Sequence, residues 1–129
     1  MTFVSTLLIV FILGGMMAFQ LLFAPLIFIK LEMSVARGFI RAFFPFYYLY
    51  FGVLSLAALV VALVRQEYLE SLVLGASFAG FVVSRQLLMP LANKATDGGN
   101  KMQFDRYHRL TVLINTLQIL AIGYLIYLW

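Results

Sequence analysis

The sequence has no cysteine and few charged residues. Without cysteine it has no disulfide, thiolate metal site, iron–sulfur cluster or cysteine nucleophile. Charged residues make up 11% of the chain and hydrophobic residues 64%, whereas a soluble domain has about 25% charged and about 45–50% apolar residues. These proportions exclude an ordinary soluble domain and point to a membrane protein.

The sequence also lacks the motifs of common active sites. It has no G-x-S-x-G, no H-E-x-x-H and no glycine-rich phosphate loop after a strand. No pair of acids shares a helix face inside an apolar run. These absences favour a non-enzymatic protein but leave catalysis open. The net charge of +4 is distributed among loops and forms no basic stripe with interleaved aromatic residues, so nucleic acid is not an expected partner.

Four long apolar runs predict four transmembrane helices. Each run reaches the roughly 20 residues that cross a bilayer, and none alternates as the strands of a membrane barrel do. The first run has no basic residue before Lys30 and no A-x-A-like cleavage site, so it is predicted to be a retained span. The predicted fold is all-α, a four-helix transmembrane bundle with spans at about residues 3–29, 42–64, 69–91 and 108–129.

Three loops connect these spans, at Leu31–Arg41, Arg65–Tyr68 and Ala92–Asp105. Pro25 interrupts the first span, and Pro90 is predicted to close the third. Lysine and arginine are concentrated at the first and third loops, whereas the second has one arginine. The positive-inside rule therefore predicts cytoplasmic first and third loops and both termini on the non-cytoplasmic side. The expected location is a bacterial inner membrane.

A polar stripe crosses the last apolar run. His108, Thr111, Asn115 and Gln118 recur at steps of three and four residues, which is the spacing of one helix face. Asn115 and Gln118 lie about 10 and 15 Å deeper than His108. Polar groups in the other spans fall in the same half of the bilayer, so they predict a polar pocket open to the cytoplasm. The candidate ligand-binding residues are Gln20, Tyr47, Arg85, Arg106, Tyr107, His108, Asn115 and Gln118.

Each candidate has a structural alternative. Asn115 and Gln118 can serve as hydrogen bonds between helices. Arg85 has no acid at its depth, which favours an anionic ligand or a lipid headgroup, but arginine can also snorkel to the interface. His108 can be structural, a proton carrier or an axial haem ligand. The scattered methionines suit gap filling better than a copper site. No metal or cofactor is thereby identified.

The chain resembles the transmembrane protein 205-like family, whose bacterial members form a membrane domain of unknown function. The resemblance covers most of the chain and implies a four-span helical membrane protein without a settled activity. It rests on Gly15-Met16-Met17-Ala18-Phe19-Gln20 with Pro25 and Phe28, on Phe44-Pro45-Phe46-Tyr47-Tyr48, on Arg85 before Pro90, and on Phe104-Asp105-Arg106-Tyr107-His108-Arg109-Leu110 with Asn115.

Three functions are consistent with these residues. The first is binding or moving a small ligand, a metal ion or an anion, through the polar pocket, with a homodimer formed through small-residue faces. The second is an accessory subunit of a larger membrane complex. The third is a haem-binding redox enzyme with His108 as an axial ligand. That third function needs a second ligand from Met16, Met17 or another chain, because the sequence has one histidine.

Overall fold

The computed structural model describes residues 2–129 as helices joined by short turns. Each of its four long helices is long and apolar enough to cross a membrane. The chain is therefore a multi-pass integral membrane protein, as the apolar runs predict. The helices are α1 (Phe3–Lys30), α2 (Met33–Val64), α3 (Tyr68–Asp97) and α4 (Lys101–Leu128).

The four helices form an antiparallel bundle. Short connections make consecutive helices neighbours, and α1 also packs against α4, so that each helix packs mainly against two others. One end of the bundle holds the C-terminal ends of α1 and α3 and the N-terminal ends of α2 and α4. We call it the basic end, because it contains most of the lysine and arginine residues.

The first connection is much shorter than predicted. Only Leu31 and Glu32 separate α1 from α2, so the predicted loop is wrong for Met33–Arg41, which is helical. Charged residues are compatible with a helix that extends beyond the hydrocarbon. Where this extension meets the apolar run, the two Nη atoms of Arg41 donate to the two carboxylate oxygens of Asp97 over 2.7 and 2.9 Å in an exposed ion pair.

The third connection is also short. The helix continues past Pro90 to Asp97, so the prediction that Pro90 closes it is wrong, and the loop predicted at Ala92–Asp105 is confined to Gly98–Asn100. Gly99 has a φ of 71°, which glycine adopts without strain and which ends the helix. Asn100 then accepts a hydrogen bond on its side chain from the Gln103 N–H over 3.1 Å and begins α4.

Both prolines inside α1 and α3 follow a π-helical turn. These turns span Phe19–Phe23 and Ser84–Leu88, and each proline comes two residues after its turn. A proline has no N–H and clashes with the carbonyl four residues earlier. The wider turn accommodates this defect, because the N–H groups of Ala24 and Met89 bond to carbonyls five residues back. The helices therefore pass through the prolines instead of stopping.

An aromatic cluster fills the bundle near these turns. The Phe19 ring lies 5.1 Å from Phe43 and 5.0 Å from Tyr47, measured between ring centroids. The Tyr47 ring in turn lies 4.7 Å from Phe51, and Phe51 stacks on Phe81 of α3 at 6.0 Å. The cluster therefore joins α1, α2 and α3 through aromatic packing.

Gly15 is needed for the close approach of α1 to α2. A Cβ atom at Gly15 falls 2.7 Å from Cζ of Phe51, whereas a Cβ at Gly14 meets no atom within 4 Å. We expect Gly15→Ala to destabilise the protein by about 1–3 kcal/mol through overpacking, and Gly14→Ala to leave stability unchanged. Reversible unfolding by sodium dodecyl sulfate in mixed micelles measures both variants. Equal effects of the two substitutions contradict the assigned packing.

Candidate functional site

Two of the residues predicted to line the pocket form a hydrogen bond between α2 and α4. The Tyr47 hydroxyl donates to Oδ1 of Asn115 over 3.1 Å. Both side chains are buried, at 4% and 8% exposure. Since hydrocarbon offers no water to bond to, each group compensates for the desolvation of the other. The pair joins two helices on opposite sides of the bundle.

Gln118 forms a second bond between helices. Its Nε2 donates to the main-chain carbonyl of Ser77 in α3 over 2.7 Å. This contact depends on Gly80, because a Cβ there falls 2.6 Å from the same Nε2 atom. Asn115 and Gln118 thus both point into the bundle and are engaged by the protein itself. The polar stripe correctly predicts their position, and their bonds match the alternative of hydrogen bonds between helices.

Arg85 lies in the π-helical turn of α3, at the seam with α2. Its side chain is half-buried, and Nε donates to the carbonyl of Pro45 over 3.1 Å. Within residues 2–129, the one salt bridge joins Arg41 to Asp97, so Arg85 has no carboxylate partner there. Its two Nη groups form no hydrogen bond to a described residue. The Arg85 guanidinium is therefore a positive group within α3 whose Nη donors are not used by the described residues.

The part of the stripe nearest the basic end, which begins at His108, is not buried in the bundle. His108 is exposed, and its ring stacks on Phe104 at 5.7 Å. The Thr111 hydroxyl donates to the His108 carbonyl of its own helix over 2.7 Å. Arg106 is exposed and Tyr107 half-buried. These residues lie on α4 near the basic end, apart from the Tyr47–Asn115 pair.

Gln20 occupies the π-helical turn of α1 as Arg85 occupies that of α3. It is half-buried and forms no side-chain hydrogen bond to a residue among those described. Ser55, which is not among the predicted site residues, is fully buried, and its hydroxyl has no partner within residues 2–129. The serine has no sequence signal that separates it from the other small residues of α2.

Metal and haem ligands are not assembled in the part of the chain that the structure describes. No three residues of the types His, Asp and Glu come together there in a way that can hold a metal ion. Met16 is fully buried and Met17 is exposed, so the two methionines occupy different sides of α1.

A groove on the outer face of α4 brings two arginines together. It has a volume of about 430 Å³. We call it the α4 groove. It is lined by Met102, Asp105, Arg106, Arg109, Leu110 and Leu113. Arg109 and the apolar residues were not among the predicted site residues, because an exposed apolar side chain next to an arginine is ordinary at a membrane boundary.

The comparisons with known proteins give a family but no activity. A family model described as a domain of unknown function, DUF4149, matches residues 7–101. The chain belongs to the DUF4149 family. Neither the comparison with curated proteins nor that with solved structures found a match. The matched residues include Gln20, Tyr47 and Arg85 and end at the first residue of α4, so His108 and Asn115 lie beyond them. The resemblance to the transmembrane protein 205-like family remains an interpretation.

The Tyr47–Asn115 bond is expected to contribute measurably to stability. Hydrogen bonds between transmembrane helices contribute about 0.6 kcal/mol on average and about 1.7 kcal/mol at most. A double-mutant cycle of Tyr47→Phe and Asn115→Leu, followed by unfolding in mixed micelles, should give a coupling energy in that range. The same cycle with Tyr47→Phe and Leu120→Ala, an exposed position, should give none. If the effects of Tyr47→Phe and Asn115→Leu on the free energy of unfolding are purely additive, the bond does not contribute to stability.

Proposed function

We propose that this DUF4149 protein binds a small anion at Arg85, inside the membrane and accessible from the cytoplasm. The observation that carries the proposal is the Arg85 guanidinium, which has one N–H bonded to Pro45 and no carboxylate within 4.0 Å among residues 2–129. An arginine at the centre of a transmembrane helix costs about 2.5–3.5 kcal/mol on insertion scales. A bound anion offsets part of this cost.

The geometry of the guanidinium specifies the class of anion. Nε is occupied by the Pro45 carbonyl, which leaves the edge formed by the two Nη atoms. Two parallel N–H groups on this edge match the oxygens of a carboxylate or a phosphate. The Pro45 bond also fixes the direction of the side chain, so that the free edge is presented in one orientation.

The π-helical turn that contains Arg85 interrupts the regular backbone hydrogen bonding of α3. The Arg85 carbonyl has no backbone donor, because the Met89 N–H bonds to Ser84 and Pro90 has no N–H. A carbonyl in this state needs another donor, such as water that enters from the basic end. π-Helical turns are frequent at functional sites for this reason. Gln20 lies in the matching π-helical turn of α1, and we assign it as the second residue that contacts the anion.

The distribution of basic residues supports access to this region from the cytoplasm. Arg85 lies on the basic-end side of α3, and the basic end is cytoplasmic by the distribution of lysine and arginine. Both termini then lie on the opposite side of the membrane, which we assign as a bacterial inner membrane. A metal ion or a haem is less well supported, because acidic and histidine ligands are not assembled within the described residues.

Anion binding at Arg85 predicts a stability increase that depends on this side chain. The unfolding temperature of the detergent-purified protein should rise by a few degrees in millimolar acetate or phosphate, compared with chloride at equal ionic strength, because a ligand that binds the folded state stabilises it. Arg85→Gln should abolish the increase. Arg65→Gln, in the turn at the other end of the bundle, should retain it.

The proposal fails if neither anion changes the unfolding temperature of the wild type, or if Arg85→Gln shows the same increase. Arg85→Lys separates two contributions. Lysine keeps the positive charge but loses the bidentate edge, so a reduced increase is expected. The binding of the anion can be measured independently by isothermal titration calorimetry.

An accessory role in a membrane complex is the second candidate. It is favoured by a groove of about 360 Å³ between α1 and α2. The groove includes Gly14, where space is open, and Tyr50, which is 54% exposed and has no hydrogen bond to a described residue. Another membrane helix can pack closely against such a surface. It is lined by Leu7, Val10, Phe11, Gly14, Gly15 and Tyr50.

The accessory role predicts a specific contact at this groove. The chain has no cysteine, so Val10→Cys introduces a single reactive group. Crosslinking in native membranes should give one defined larger species from Val10→Cys and none from Val112→Cys, an exposed position on α4. A species of twice the chain mass indicates a homodimer, and another defined mass a partner subunit. Equal crosslinking at both positions indicates random collision and removes this candidate.

A further inference from the structure

The α4 groove combines charge and apolar surface on one helix face. Its lining residues recur at intervals of three and four positions, from Met102 through Arg106 and Arg109 to Leu113, which is the spacing of a single face. Arg106 and Arg109 are exposed, and Leu110 and Leu113 are 40% and 53% exposed. This face points away from Asn115 and Gln118, which are buried on the other side of α4.

The groove carries an excess of one positive charge. Two arginines and Asp105 line it, and none of the three forms a salt bridge within 4.0 Å among residues 2–129. Their charges are therefore available to a partner from outside the chain. A single negative charge with several oxygen acceptors neutralises the groove, as a phosphodiester does.

The depth of the groove matches the headgroup region of a bilayer. α4 has 28 residues and is about 42 Å long at about 1.5 Å per residue. The hydrocarbon is about 30 Å thick, so about 12 Å of the helix extends beyond it. If Leu128 lies at the opposite boundary, the hydrocarbon begins near His108. The two arginines then lie at the level of lipid phosphates, with Leu110 and Leu113 in the acyl-chain region.

We infer that the α4 groove binds one anionic phospholipid. Arg106 and Arg109 hold its phosphate, and one acyl chain lies along Leu110 and Leu113. A zwitterionic lipid has the same phosphate but adds a positive group, which Asp105 attracts and the two arginines repel, so the net charge of the groove favours the anionic lipid. The site therefore selects for headgroup charge, and it is independent of Arg85 and of the anion proposed there.

Native mass spectrometry tests this site directly. The detergent-purified chain is mixed with equal amounts of phosphatidylglycerol and phosphatidylcholine that carry the same acyl chains. We expect the wild type to retain phosphatidylglycerol in about five-fold excess, since the groove has one excess positive charge, each basic charge near a membrane surface contributes about 1 kcal/mol to anionic-lipid attraction, and about 1.4 kcal/mol is a factor of ten. The double variant Arg106→Gln, Arg109→Gln should reduce this excess to near unity.

A matched control separates the groove from general basic charge. The double variant Lys94→Gln, Lys101→Gln removes two positive charges from the same end of the bundle, but neither lysine lines the groove. It should retain the preference, and so should Arg85→Gln, whatever the outcome of the anion experiment. If both double variants lose the preference equally, the attraction is diffuse and the inference is overturned.

Two further outcomes bear on the identity of the occupant. Millimolar inorganic phosphate should not displace the lipid, because the apolar residues of the groove also hold its acyl chain. Displacement by phosphate means that the groove is a simple anion site, which contradicts the inference. Retention of a polypeptide in place of lipid, lost in the arginine double variant, also overturns it. Circular dichroism of each variant verifies that its helices are intact.

Discussion

A polar group inside the hydrocarbon of a membrane has no water to bond to, and the arrangement of this bundle depends on that constraint. Three hydrogen bonds of its interior side chains connect different helices. Tyr47 bonds to Asn115, Gln118 to the Ser77 carbonyl and Arg85 to the Pro45 carbonyl. Together these three bonds link α2, α3 and α4, while α1 is held by aromatic packing around Phe19.

The apolar runs predict the number of helices because crossing the hydrocarbon sets a minimum length, independent of packing. They do not predict where the helices end. Arg41 and Asp97 look like loop residues, yet their ion pair lies between two helix ends that project beyond the apolar runs. Pro90 looks like the end of a helix because a proline lacks the N–H that continues the helical hydrogen bonds. The π-helical turn that accommodates it lies in the preceding residues, Ser84–Leu88, and is not apparent from the proline itself.

The candidate site was predictable to the extent that it depends on periodicity. Counting along α4 places Asn115 and Gln118 on the inner face, where both are buried. The same count places His108 and Thr111 on that face, but near the basic end His108 is exposed and Thr111 is only half-buried. Main-chain acceptors such as the Ser77 and Pro45 carbonyls were not predictable. Every residue has a carbonyl, and only the packing of two helices selects which one is reached.

The two π-helical turns also affect how insertions and deletions in this chain and its relatives should be interpreted. A π-helical turn contains more residues than an α-helical turn, so residues after Phe23 and Leu88 face directions that simple counting from the start of α1 or α3 does not give. A single deletion in either turn would rotate the whole following segment, including its proline, relative to the bundle. In relatives of this protein, the length of the chain between Gly15 and Pro25, or between Gly80 and Pro90, is therefore as informative as the residues found there.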